Sequence, residues 1–153
     1  MFRGASTLNM DQKGRFAVPA KYREELTERC AGQFILTVNV INTGDRCLWL
    51  YPQDEWENVE RKVVQLPSFD GRAQALKRLL IGYATDCDLS SAGRVRVSAP
   101  LREFAGLEKR IVLIGQGNKF EIWDEAVWQM KLPDWLSQPE DRQLSIELES
   151  LSL

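Results

Sequence analysis

Histidine is absent from the 153-residue sequence. Its absence excludes histidine-based acid–base catalysis, Ser/His/Asp and Cys/His nucleophiles, and zinc sites with histidine ligands. Cysteine is scarce as well: Cys30, Cys47 and Cys87 lie far apart and include no C-x-x-C pair. Neither a disulfide framework nor a thiolate metal site is therefore expected, and a reducing compartment fits best.

Long hydrophobic runs are also lacking. The most apolar stretch, residues 34–41, is far shorter than the roughly 20 residues of a membrane-spanning helix. Residues 1–15 contain no apolar core of the kind found in signal peptides. We therefore expect a cytoplasmic protein that is neither exported nor embedded in a membrane.

No group of residues forms a recognisable catalytic site. The neighbouring carboxylates Glu24/Glu25 and Asp86/Asp88 have no cleft or metal partner in the sequence pattern and are expected to be solvated. The segment GQGNK at residues 115–119 lies between two predicted strands rather than before a helix, which favours a hairpin turn over a phosphate loop. We expect no enzyme activity, no cofactor and no metal.

Charge is unevenly distributed along the chain. The net charge is −2, yet residues 1–23 carry five lysines and arginines against one aspartate. Residues 134–153 show the reverse, with five acidic residues against one arginine. The N-terminal segment is thus locally basic despite the acidic total, and the excess of acid lies in the C-terminal tail.

The chain contains an internal repeat. GRFAVPAKYRE, beginning at Gly14, matches GRVRVSAPLRE, beginning at Gly93, and CLWLYPQDEW at residues 47–56 matches KFEIWDEAVW at residues 119–128. Each copy alone is too small to form a stable core. We therefore expect the two copies to pack against each other around a pseudo-twofold axis in a mainly β, α+β fold.

The hydrophobic periodicity predicts the same elements in both copies: strand, turn, strand, short helix, strand, turn, strand. The predicted strands are residues 5–10, 16–18, 34–40, 47–50, 85–89, 94–97, 110–114 and 119–123. The predicted helices are residues 21–29, 52–65, 72–80 and 100–105, with a further turn of helix between Trp128 and Pro133. An acidic amphipathic tail follows, with Leu144, Leu148 and Leu151 at helical spacing.

The turn at residues 11–15 is the strongest candidate for a binding site. Gly14 supplies the positive φ that a hairpin turn usually requires. Lys13 and Arg15 project from this turn, and Arg3 is a third cation upstream in the sequence. Lysine can contact a DNA phosphate as a point charge, and arginine can also match the major-groove edge of guanine. The alternative is a surface turn in which Asp11 and Arg15 only pair with each other.

Two other residue sets have a structural and a functional interpretation. The aromatic residues could stack on nucleobases, but their matched positions in the repeats favour the core; they are Trp49, Tyr51, Trp56, Trp123 and Trp128. The matched pairs Arg23/Glu24 and Arg102/Glu103 could bind a ligand, but ion pairs at the junction between the repeats are favoured.

Four motifs in this order, MFRG, DQKGRFAVPAKYRE, AGRVRVSAPLRE and GQGNKFEIWDEAVW, resemble the MraZ family of bacterial transcriptional regulators. The resemblance covers most of residues 1–130. It implies two tandem SpoVT/AbrB-type domains, each half of a swapped-hairpin, double-psi-like barrel. The corresponding expected boundaries are residues 5–52 and 81–124 for the domains, 53–80 for a helical linker and 125–153 for a helical acidic tail.

The resemblance also implies a function. Members of the family bind double-stranded DNA at short promoter repeats, assemble into rings, associate with the nucleoid, and repress the division and cell-wall gene cluster, including their own gene. A ring would multiply a small basic patch along DNA, and linked weak contacts gain from effective concentration. The alternative is a ring-forming protein-interaction module of the AbrB fold that does not bind specific DNA.

The family pattern Asp-x-x-x-Arg selects the site residues. The first copy has it as Asp11 and Arg15, with Gly14 in the turn. The second copy keeps Gly93 and Arg94, but Ser90 stands where the aspartate is expected. We therefore expect Lys13 and Arg15 to be the principal DNA contacts, supported by Arg3, with a lesser role for Arg94 because it lacks an orienting partner.

Overall fold

The computed structural model describes residues 1–42, 44–137 and 151. This part of the chain forms eight strands and five α-helices, and one or two helices follow each consecutive pair of strands. The strands are β1 (Ala5–Asn9), β2 (Arg15–Ala17), β3 (Gln33–Val38), β4 (Leu48–Pro52), β5 (Thr85–Asp88), β6 (Arg94–Arg96), β7 (Arg110–Gly115) and β8 (Phe120–Asp124). The helices are α1 (Ala20–Cys30), α2 (Gln53–Val64), α3 (Gly71–Leu76), α4 (Ala99–Ala105) and α5 (Glu125–Leu136), and a π-helical turn, Lys77–Ile81, follows α3. The expected α+β class, mainly sheet with helices, is confirmed.

The strands form two open antiparallel sheets. The larger has the order β1-β7-β8-β4-β3-β5, and the smaller is the two-stranded ribbon β2-β6. The turn at residues 11–14 forms as predicted, but the strands on its two sides do not pair with each other. β1 pairs with β7, Ala5 opposite Ile114, and β2 pairs with β6. The reason is burial, since pairing β2 with β6 turns Phe16 and Val95 into the same core.

The strand order relates each element to its counterpart in the other copy. The repeat aligns β1 with β5, β3 with β7 and β4 with β8. When each strand of the larger sheet is exchanged for its counterpart, the order reads the same from the opposite end. β1 of the first copy lies on β7 of the second, and β5 of the second lies on β3 of the first.

Both faces of the larger sheet are covered, because successive side chains of a strand point to opposite faces. One face packs under α1, α4 and the ribbon, with Leu26, Leu36 and Ile111 fully buried. The other face packs under α2, the π-helical turn and α5. The predicted core role of the aromatic residues is confirmed for Trp49, Tyr51, Trp56 and Trp123, and Trp128 is partly buried on the second face.

Two helices differ from the prediction. The short helix expected to stop before Pro133 instead continues as α5 to Leu136. A proline inside a helix removes one backbone hydrogen bond, but here tertiary packing holds both halves, since Trp128 and Trp135 stack edge-on against Trp123 with centroids 5.9 and 5.2 Å away. The helix predicted at residues 72–80 is α-helical only as far as Leu76, and its remaining residues form the π-helical turn.

The predicted amphipathic tail lies outside the described residues except for Leu151, which is exposed. In the part of the chain that the structure describes, no helix combines the length and the apolar character needed to cross a membrane.

Candidate nucleic-acid interface

The first turn is built around the carboxylate of Asp11. Its Oδ1 accepts hydrogen bonds from the backbone N–H groups of Lys13 and Arg15, both at 2.9 Å. Its Oδ2 accepts a hydrogen bond from Nε of Arg15 at 2.8 Å. Gly14 closes the turn with φ +82° and donates its N–H to the Asp11 carbonyl. A single side chain therefore fixes both the backbone of the turn and the base of the Arg15 guanidinium.

The electrostatics of the turn keep Asp11 charged. The backbone N–H of Arg15 is the largest cause that holds the pKa of Asp11 below its ordinary value, and the Arg15 side chain and the Lys13 N–H act in the same direction. The Arg15 side chain remains 43% exposed. The pairing weighed as an alternative interpretation is thus present, and it coexists with an exposed guanidinium.

The second turn has the same backbone geometry with a different side chain. Gly93, at φ +75°, donates to the Ser90 carbonyl, and the Ser90 N–H donates to the Arg94 carbonyl. The Ser90 hydroxyl accepts a hydrogen bond from the Arg94 N–H at 3.0 Å. Ser90 thus makes one of the two side-chain-to-backbone hydrogen bonds that Asp11 makes. The Arg94 side chain is 50% exposed, and its Nη1 lies 3.8 Å from Oδ2 of Asp11.

The ribbon β2-β6 brings these arginines to one surface. Arg15 is opposite Arg96 and Ala17 is opposite Arg94, and all four side chains are exposed, whereas Phe16 and Val95 between them are buried. Period-two alternation thus places three arginines on the outer face of a two-stranded ribbon. We call this face the arginine ribbon, defined by Arg15, Arg94 and Arg96.

Arg96 was not predicted as a site residue. Its Nε donates to the carbonyl of Lys13 at 3.3 Å, so it also contacts the first turn. A signal was present in the sequence, because Arg94 and Arg96 flank a single valine and therefore lie on the same face of any strand. The family pattern Asp-x-x-x-Arg contains a single arginine, so it led to Arg94 alone in the second copy.

Arg23 of α1 and Arg102 of α4 brace the turns. Arg102 Nη1 donates to the carbonyl of Gln12 at 3.2 Å, and Arg23 Nε donates to the carbonyl of Val18 at 2.6 Å. Each side chain lies against the turn glycine of the opposite repeat: Arg102 against Gly14 and Arg23 against Gly93. The ion pairs expected at the junction between the repeats are wrong, since neither arginine pairs with a carboxylate of a described residue.

Arg3 is not brought together with the turns. Its backbone lies beside the loop between β7 and β8, where Phe2 bridges Gly117, while the first turn follows the other end of β1. At about 3.3 Å per strand residue, Arg3 and Asp11 are roughly 20 Å or more apart. The Tyr22 hydroxyl donates to the Arg3 carbonyl and anchors this end of the strand. A DNA contact by Arg3 stays a prediction, and it would be separate from the contacts made by the turns.

Comparison with known proteins gives the family. A family model described as "MraZ protein, putative antitoxin-like" matches residues 1–79 and again residues 80–143, once for each copy of the repeat. The chain belongs to the MraZ family.

Similar relatives span the whole chain. A protein named transcriptional regulator MraZ from Halorhodospira halophila is 50% identical, and one of the same name from Thioalkalivibrio sulfidiphilus is 47% identical, each with all of both chains covered. A third, from Methylococcus capsulatus, is 50% identical over 90% of this chain and 88% of its own. The MraZ resemblance inferred from the four motifs is thereby confirmed.

A groove adjoins the first turn. It has a volume of 920 Å³ and runs from Met10, Asp11 and Gln12 past Leu107 to the start of α5. Its lining carries both signs of charge, and two of the lining residues pair, with Arg110 Nε donating to Glu125 at 2.8 Å. No group of three cysteine, aspartate or glutamate side chains suited to a metal ion occurs within residues 1–42 and 44–137.

Proposed function

We propose that this protein is a DNA-binding transcription regulator that contacts double-stranded DNA through the arginine ribbon and the first turn. Three exposed arginines on one face of a two-stranded ribbon, with Lys13 at the adjoining tip, carry this proposal. The major groove of B-DNA admits a two-stranded β-ribbon, and arginine is the side chain that most often reads guanine there. The relatives named transcriptional regulators support it.

Within this surface, Lys13 and Arg15 are the principal contacts. Arg15 is held at its base by Asp11, which leaves its outer end exposed for a bidentate contact, whereas Lys13 suits a phosphate. Arg94 and Arg96 extend the same face. Arg3 lies apart from them, and a contact there would be to a more distant phosphate.

The charge of one subunit is modest. If Lys13 and each of the three arginines of the arginine ribbon neutralise one phosphate, affinity falls by about 10²-fold between about 50 and 200 mM salt. Specific recognition by so small a patch requires repetition. We propose that copies of the chain assemble into a ring that presents the patch to short tandem repeats of a promoter, so that linked contacts add.

The proposal also covers how the chain divides into domains and where it acts. The strand order reads the same from the opposite end once each strand is exchanged for its counterpart in the other copy. This symmetry supports two AbrB-type halves, residues 5–52 and 81–124, that form a swapped-hairpin barrel around a pseudo-twofold axis. Residues 53–80 link the halves, and 125–153 form the acidic tail. The regulator would act in the cytoplasm at the nucleoid, repressing the division and cell-wall gene cluster and its own gene.

The test is a binding titration with fluorescently labelled duplexes from upstream of the chain's own gene, carrying one or several copies of the short repeat. Arg15→Ala should weaken binding at least about tenfold, which corresponds to the loss of one bidentate contact. Arg72→Ala removes the same charge from α3, on the opposite face of the larger sheet from the ribbon, and should change affinity less than about twofold.

Two outcomes would contradict the proposal. Equal affinity of Arg15→Ala and the parent would remove the first turn from the interface. Affinity independent of both repeat number and salt would instead favour the protein-interaction module.

A further inference from the structure

The two turns differ in one charged group. In the first turn, the Asp11 carboxylate bonds two backbone N–H groups and the Arg15 side chain. In the second, the Ser90 hydroxyl bonds the Arg94 N–H but offers no negative charge to the Arg94 guanidinium. The second turn therefore closes its backbone without its own counter-ion for Arg94.

The missing counter-ion is supplied from the other repeat. One oxygen, Oδ2 of Asp11, lies 2.8 Å from Nε of Arg15 and 3.8 Å from Nη1 of Arg94. The ribbon register makes this possible, because Ala17 is opposite Arg94 and Arg15 is therefore its diagonal neighbour across the two strands. Diagonal neighbours on one face of a sheet are within reach of long side chains.

The position of Asp11 also offsets repulsion. Arg15, Arg94 and Arg96 form a cluster of like charges on one small face, and like charges across a strand pair are destabilising. Asp11, with its side chain 35% exposed, is the carboxylate that the described salt bridges place against two of them. The ion pairs are too exposed to add much stability; their effect is on orientation.

We propose that Asp11 is a positioning residue for both repeats, so that its single carboxylate orients Arg15 and Arg94 together and the arginine ribbon works as one composite surface. Ser90 in the second turn is then sufficient, because the negative charge comes from across the ribbon. The contribution of Arg94 to DNA binding depends on Asp11. This inference rests on the proposed function and assigns Arg94 a partner that its own turn does not provide.

A double-mutant cycle tests the dependence. With the tandem-repeat duplex, Arg94→Ala should weaken binding about tenfold in the parent protein. In an Asp11→Asn background, the same substitution should cost less than about threefold, because Arg94 is already unoriented. The amide oxygen of Asn can still accept the N–H groups of the turn, so the backbone is kept. Arg72→Ala, as the matched control, should have the same small effect in both backgrounds.

A variant that moves the carboxylate to the second turn should restore the contribution of Arg94. Adding Ser90→Asp to Asp11→Asn places a carboxylate at the equivalent position of the second turn. Sensitivity to Arg94→Ala should return to about tenfold, because Arg94 then has a carboxylate in its own turn. Equal losses for Arg94→Ala in the parent and Asp11→Asn backgrounds, or no rescue by Ser90→Asp, would overturn the shared role of Asp11.

A measurement without DNA separates this inference from the proposed function. In TROSY spectra of the deuterated full chain, the side-chain Nε–H resonances of both Arg15 and Arg94 should shift on Asp11→Asn, and that of Arg72 should not. A shift confined to Arg15 would refute the shared carboxylate whatever the DNA result. Loss of DNA binding by the parent protein would refute the proposed function, and the spectra would still decide the role of Asp11.

Discussion

Replacing Gly14 by alanine should destabilise the protein more than the same change at Gly106. Both glycines have positive φ, +82° and +60°. A methyl group at Gly14 would lie 2.5 Å from the Val97 carbonyl oxygen, whereas one at Gly106 would meet nothing within 4 Å. Gly106→Ala thus measures the backbone cost alone, about 1–2 kcal/mol. Gly14→Ala adds a collision with backbone of the other repeat, about 1–3 kcal/mol more.

Thermal unfolding of the two variants at the same protein concentration measures the difference. For a chain of this size, 1 kcal/mol corresponds to about 2–4 °C. The Gly14 variant should therefore unfold roughly 2–12 °C below the Gly106 variant. Equal Tm values for the two variants would refute the close approach of Gly14 to the Val97 carbonyl, because that collision is the main source of the expected difference.

Three further predictions concern buried and charged groups. Thr37→Val should lower the free energy of unfolding by about 1–3 kcal/mol in urea, because the buried Thr37 Oγ1 donates to the Leu80 carbonyl at 2.6 Å; an unchanged value would contradict this. Burial raises the pKa of Cys87 to about 12 and that of Cys47 well above its usual range, so iodoacetamide at about pH 8 should label both only after unfolding, as read by mass spectrometry. Folding lowers the pKa of Asp11 below its ordinary 3.8, so its contribution to stability is present above that pH and lost as pH falls through the lowered value. Urea midpoints from about pH 5 to about pH 3 should therefore fall more steeply for the parent than for Asp11→Asn, and parallel curves would contradict it.

Local structure was largely predictable because it depends on short-range patterns. Gly14 and Gly93 mark turns that form where predicted, and the helices that contain Tyr22 and Leu101 follow from the hydrophobic periodicity. The matched position of Trp123 in the repeat placed it in the core, where the structure has it. The turn and helix signals act over a few residues, so they are contained in the sequence near each element.

Strand partners and the composition of the site were not predictable in the same way. The alternation of Phe16 and Ala17 fits pairing with β1 as well as with β6, and only three-dimensional burial decides between them. Arg102 was predicted to make an ion pair at the repeat junction because Arg102/Glu103 matches Arg23/Glu24 in the other copy, whereas its actual partner is the backbone carbonyl of Gln12 in the other repeat. Contacts between repeats carry no local signal. Arg96 was missed for another reason: its spacing from Arg94 places both on one strand face, but the family pattern Asp-x-x-x-Arg contains a single arginine.

The long-range pairing of β1 has a consequence for synthesis of the chain. Ala5 is opposite Ile114, so the first strand to leave the ribosome has no partner until β7 has been translated. Pairing of residues this distant in sequence slows folding, and unpaired strand edges are prone to aggregate in the interval. A nascent chain that ends within α2 would hold β3 and β4 without either outer neighbour. Fragments released early from translation should therefore be poor folders that depend on chaperones.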